Sequence, residues 1–120
     1  MPVRFLSKTQ REQYGQYAGV PSTQELSRYF HPDDADHRLI AAKRSSHNRL
    51  GFAVQLCTLR YLGTFTSDLF QVPRIVITTL AEQLALSPTI SLDSYGQGDQ
   101  RWSHAEEIRR QYGFTDITER

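Results

Sequence analysis

The chain has 120 residues, 38% of them hydrophobic and 22% charged, with a formal net charge of +1. That length suits one compact domain, and the mixture excludes both a disordered tail and a membrane protein, since no apolar run nears the ~20 residues of a membrane helix. A single cysteine, Cys57, excludes an internal disulfide and fits a reducing interior, and Met1–Leu6 carries no signal-peptide pattern.

Taken in chain order, Ser7 to Tyr14 reads as a short helix. Ser22-Thr23-Gln24-Glu25 is a capping box that opens a second helix with Leu26, Tyr29 and Phe30 on one face. Asp33, Asp34 and Asp36 start a third, where carboxylates meet the positive end of the helix dipole, and it runs to Lys43-Arg44. Asn48 to Leu62 is the longest apolar segment. Leu50, Val54, Cys57 and Tyr61 line one helical face, and Phe52, Leu56 and Leu59 line another. A helix apolar on most of its circumference is buried on most sides, so 48–62 is the expected central helix, stopped by Gly63. Its N-terminus emerges beside the polar run at 45–49.

Ile75 to Thr79 is β-branched, but Pro73 precedes it and Leu80 to Leu84 continues it with helical spacing. The expectation there is a helix with Pro73 at its first position, and a strand is the alternative. Leu86 to Arg101 reads as a helical turn followed by a loop containing Gly96 and Gly98. Ser103-His104-Ala105-Glu106 is a second capping box, opening a helix with Ile108 and Tyr112 that stops at Gly113. The expected fold is all-α: a compact bundle of about five to seven short helices around the buried helix 48–62, with a helix-turn-helix-like arrangement as an option. Residues 1–120 are read as a single domain.

Charge is unevenly placed. Residues 37–67 contain no acid and carry Arg38, Lys43, Arg44, Arg49 and Arg60, a formal +5, while the rest of the chain sums to −4. Lys43-Arg44-Ser45-Ser46-His47-Asn48-Arg49 combines cations, hydroxyls and an amide, the groups that hold phosphates and reach base edges. A solvated basic turn with no ligand would look the same.

Other chemistry is poorly supported. His31, His37, His47, His104 and Cys57 lack zinc-site spacing and read as surface or capping residues. Asp33, Asp34 and Asp36 are explained by the helix dipole without a metal, and Cys57 sits mid-helix, where a buried thiol is inert. Gly96-Gln97-Gly98 lacks the Lys-Ser and helix of a phosphate loop. Trp102 is either a hydrophobic staple on the last helix or a contact to DNA backbone or a neighbouring domain.

The run from His47 to Phe65, HNRLGFAVQLCTLRYLGTF, resembles the signature of the N-terminal domain of Tn-three family transposases. Pro21-Ser22, Glu25-Leu26, Arg28-Tyr29-Phe30, Val72-Pro73, Gln83-Leu84, Trp102-Ser103-His104, Glu107-Ile108-Arg109 and Tyr112-Gly113 recur in that family's order, so the resemblance covers nearly the whole chain. Ser45-Ser46 departs from it, standing where an arginine and a glycine are more usual. The resemblance implies an N-terminal piece of a much longer bacterial transposase that recognises transposon terminal inverted repeats. The strand-transfer chemistry, an Asp-Asp-Glu triad with magnesium, would lie in a C-terminal domain absent here. No activity and no cofactor of its own are expected for this stretch. The expected partners are double-stranded DNA and the remaining transposase domains, with a dimer formed through the full-length protein. The expected location is the bacterial cytoplasm, at the nucleoid when bound to DNA.

On this reading Lys43, Arg44 and Arg49 contact phosphates, with His47 beside them, and Ser46 and Asn48 read bases or cap the long helix. Arg101, Arg109 and Arg110 form a second basic group. Arg60 either pairs with a buried carboxylate or meets DNA. Substituting Lys43 or Arg49 by alanine is expected to weaken binding and leave stability nearly unchanged. The competing expectation is a structural or oligomerisation module with only weak, non-specific DNA affinity.

Overall fold

A computed structural model describes residues 17, 19–65, 69–87, 89–92, 95 and 100–113. The expected helix at 7–14, the Gly96–Gly98 loop and the last seven residues lie outside them. Among the described residues the elements are helices: α1 (Thr23–Tyr29), α2 (Asp34–Ala41), α3 (Ser46–Leu62), a 3-10 turn (Leu69–Gln71), α4 (Arg74–Gln83) and α5 (Gln100–Tyr112). The all-α expectation holds.

The first two helices start where their caps dictate. Ser22 Oγ accepts from the Glu25 amide at 3.1 Å, and Glu25 Oε1 accepts from the Ser22 amide at 2.9 Å. Asp33 and Asp36 form the same reciprocal pair at 2.8 and 3.0 Å. Gly63 and Gly113 stop α3 and α5 with φ of 82° and 70°, the left-handed region that costs glycine nothing.

α3 is the axis of the fold. Leu50 to Leu59 is buried without a break, and α1, α2, α4 and α5 each pack against it. Phe30, which caps the end of α1, and Ile40, Val76, Leu80 and Ile108 from α2, α4 and α5 share one core with Phe52, Val54 and Leu56. Tyr17, Phe30 and Tyr29 cluster around Tyr61 with ring centroids 5.3–5.8 Å away, closing the end of the core near the α3 C-terminus.

Four expectations need correction. α3 begins at Ser46, and its cap is Ser45, whose Oγ accepts from the Asn48 amide at 3.3 Å; neither Ser46 nor Asn48 is the cap. Ser45 turns the chain with φ 61° and ψ 153°, and that turn places its hydroxyl three residues ahead of a free amide. Pro73 is the N-cap of α4, one residue before the helix proper. Segment 75–79 is helical, as its continuation into Leu80–Leu84 predicts. α5 begins at Gln100, so Ser103 and Glu106 lie inside it and form no capping box; the S-x-x-E spacing also fits a helix interior when Gln-Arg-Trp extends the helix forward. Trp102 is therefore no staple: it is 66% exposed, with the Arg101 guanidinium 4.9 Å from its ring centroid.

Candidate nucleic-acid interface

The basic run falls at the junction of α2 and α3. Arg44, Ser46 and His47 are exposed, and the first turn of α3 contains no acid. Unsatisfied amides and the positive dipole end of a helix converge there. Asn48 is half-buried at the third helical position.

Lys43 and Arg49 are held by the protein itself. Lys43 Nζ pairs with Glu107 of α5 and lies 4.7 Å from the Phe52 ring centroid, which leaves its side chain only 15% exposed. Arg49 Nε donates to the Lys43 carbonyl at 3.1 Å. With His37, Ile40, Gln83 and Leu84, Arg49 lines an open cleft of about 370 Å³ between α2, α3 and α4.

The second basic group is divided. Arg109 packs 4.9 Å from the Phe65 ring centroid and 3.7 Å from Glu106. Arg101 stacks on Trp102, and its carbonyl accepts from Gln55 Nε2 at 3.0 Å. Arg110 is exposed and shares a shallow depression with Ser103, Glu107 and Gln111. Since Glu107 also holds Lys43, this ion pair brings the α2–α3 turn against the middle of α5. Arg44 and Arg110 belong to the two elements so joined, whereas Arg101 and Arg109 are engaged elsewhere.

Arg60 is half-buried and engaged by a buried carboxylate. Its Nη1 and Nη2 donate to Asp36 Oδ2 and Oδ1 at 2.7 and 3.0 Å. Tyr112 Oη donates to Oδ1 at 2.6 Å, and the Asp33 amide donates to Oδ2 at 3.0 Å. Each oxygen of this fully buried carboxylate thus receives two donors. Burial pushes the Asp36 carboxyl up, but the hydrogen bonds from Arg60, Tyr112 and the Asp33 amide outweigh it and hold it at about 2. The acids at the α2 start serve the backbone and Arg60, and among the described residues no group of three or more His, Cys, Asp and Glu could hold a metal.

A second buried polar chain was not foreseen. His104 was expected at the surface or in a cap, yet it is 4% exposed, with its ring centroid 5.3 Å from that of Phe52. Gln55 Nε2 donates to Tyr95 Oη at 2.6 Å and to the Arg101 carbonyl, and Tyr95 Oη is hydrogen-bonded to His104 Nδ1 at 2.8 Å. Burial, with the Lys43 cation nearby, lowers the His104 pKa, and Glu107 opposes them. Gln55 amid the apolar run Leu50–Leu56 is the available signal.

Residues 5–120 match the family described as Domain of unknown function (DUF4158). The chain is 43% identical over 118 residues to the transposase for transposon gamma-delta of Escherichia coli (strain K12), covering 98% of this chain and 12% of that protein. It is 42% identical over 112 residues to the transposase for transposon Tn501 of Pseudomonas aeruginosa, covering 91% and 11%. Against the transposase for transposon Tn1546 of Enterococcus faecium it is 39% identical over 94 residues, covering 78% and 9%. No solved structure matches it. The chain therefore spans about a tenth of the length of the curated relatives it matches. With the family match running over nearly all of its residues, the chain belongs to the DUF4158 family, the region that these transposases share with it.

Proposed function

We propose that this chain is a DNA-binding module of a transposase that recognises transposon terminal inverted repeats. The relatives supply the class of protein. The observation that carries the reading is the α2–α3 junction, where Arg44, Ser46 and His47 are exposed at the positive end of α3 with no acid in its first turn. Such a turn suits phosphate oxygens, through cations, hydroxyls and backbone amides together. Arg44, Ser46, His47 and Arg110 are its direct contacts, Asn48 and Arg49 flank them, and Lys43, Arg101 and Arg109 act mainly by holding the surface in place. Strand transfer and its magnesium belong, on this reading, to a part of the transposase outside this chain.

A second reading treats the chain as a docking module for the rest of the transposase. Trp102, 66% exposed, favours it, because exposed tryptophan is enriched where proteins associate. Fluorescence anisotropy separates the two, using a labelled duplex that carries the terminal inverted repeat and a scrambled duplex across a salt series. End recognition gives a preference for the repeat and an affinity falling by about 0.9 log unit per log unit of salt for each phosphate contact. Equal, weak binding to both duplexes would reject it in favour of docking.

A further inference from the structure

We infer that α5 is the helix that enters the major groove, with Arg110 and Gln111 as its base-reading side chains. The inference rests on the DNA-binding reading above. α3 offers only its first turn, since Leu50 to Leu59 is buried all round. α1 packs at the far end of α3, where Tyr61 Oη meets Glu25 Oε1 at 3.2 Å, remote from the basic turn at the α3 N-terminus. α5 is bound to that turn directly, through Lys43 and Glu107.

The outer side of α5 carries the right chemistry. Ser103, Arg110 and Gln111 are exposed, and none of them hydrogen-bonds to another described residue through its side chain. Arginine bonds bidentately to guanine, glutamine to adenine, and serine to either partner of a pair. The two acids on this side already have cations: Glu107 holds Lys43, and Glu106 stands 3.7 Å from Arg109. Ser103 and Arg110 are separated by seven residues, about 10 Å along the helix axis, which is roughly three base-pair steps. Arg44, on the adjoining turn, is then placed for the flanking phosphates. The occupant is duplex DNA of B form, whose major groove admits one α-helix.

The test uses the 120-residue chain and a set of duplexes in which each base pair of the terminal inverted repeat is replaced in turn. Wild type is compared with Arg110→Ala, Gln111→Ala and Arg44→Ala, all at exposed positions, with folding checked by circular dichroism. Arg110→Ala and Gln111→Ala should each lose about 5- to 150-fold in affinity for the parent repeat and lose discrimination at one or two adjacent base pairs. Arg44→Ala should weaken every duplex by a common factor and lower the salt slope by about 0.9. If wild type prefers the repeat but the two α5 variants keep its base profile, the inference is overturned while end recognition stands. If wild type does not distinguish the repeat from scrambled DNA, both readings fall.

Discussion

Replacing Arg60 by methionine removes both guanidinium donors from Asp36 and keeps a side chain of similar length. Asp36 then retains two of its four donors and keeps its charge in the core without a counter-charge, with no exposed surface of its own. Breaking a buried pair by deleting one partner costs about 3–5 kcal/mol, because a charge is left without compensation. The pH dependence gives a stricter test than the magnitude. In the wild type the Asp36 carboxyl falls from 3.8 to about 2 on folding, a contribution of roughly 2 kcal/mol. A depressed carboxyl stabilises above its unfolded value, and that stability is lost as pH falls from 3.8 through about 2. In Arg60→Met the sign reverses. Burial without the cation raises the carboxyl, so protonation relieves the penalty and the variant recovers part of its deficit on mild acidification. Urea denaturation followed by far-ultraviolet circular dichroism, at neutral pH and near about pH 4.5, measures both quantities. A deficit below about 1 kcal/mol, or one that does not shrink on acidification, would refute the account of a desolvated, four-donor carboxylate.

Three further outcomes follow from the core. Gly51→Ala gains about 1 kcal/mol of helix propensity, but its Cβ would lie 2.4 Å from the Tyr95 ring, which must move and leave Gln55 and His104 without their partner; a net loss of about 1–3 kcal/mol is expected, read as a lower melting temperature. His104 has a folded pKa below its ordinary 6.5, so its stabilising contribution is present above that value and declines as pH falls below it; the urea midpoint should drop on acidification from 6.5, and His104→Gln should flatten that dependence. Burial pushes the Cys57 thiol up to about 12, so alkylation of the native protein at neutral pH should proceed only through opening, no faster than unfolding, and labelling at the rate of a free thiol would contradict its burial.

Elements with local signals were legible in the sequence. The cap of α1 needs only residues three apart, the acids at the start of α2 mark its dipole end, and the two apolar stripes of α3 identify it as the central helix before any partner is known. Features decided by backbone angle or distant contact were not. Ser45, Ser46 and Asn48 are all competent caps, and the choice falls to Ser45 through a φ of 61° that its side chain does not encode. Arg60 left two options open because its partner, Asp36, is 24 residues away, among acids that the helix dipole alone explains in the sequence. The interface was legible as composition, in the basic run at 43–49, but its division between free and engaged cations depended on Glu107, Phe52 and Phe65.

Lys43 shows why that division changes the expected result of mutagenesis. As a bare member of the basic run it is a phosphate contact whose removal leaves stability unchanged. In the fold its ammonium already has a carboxylate and an aromatic face, and its carbonyl orients Arg49. A phosphate would have to replace Glu107, so the gain is the difference between two ion pairs rather than a whole one, and the freed Glu107 would then face the DNA backbone. Lys43→Ala should therefore cost about 1–2 kcal/mol of stability, from the lost cation–π contact, the partly buried pair and the uncovered edge of Phe52. Its affinity for DNA should fall less than that of Arg44→Ala. Equal binding losses at unchanged stability would return Lys43 to the phosphate contacts. A stability loss with a small binding loss would make it the fastener between the basic turn and α5, on which any reading of DNA by α5 depends.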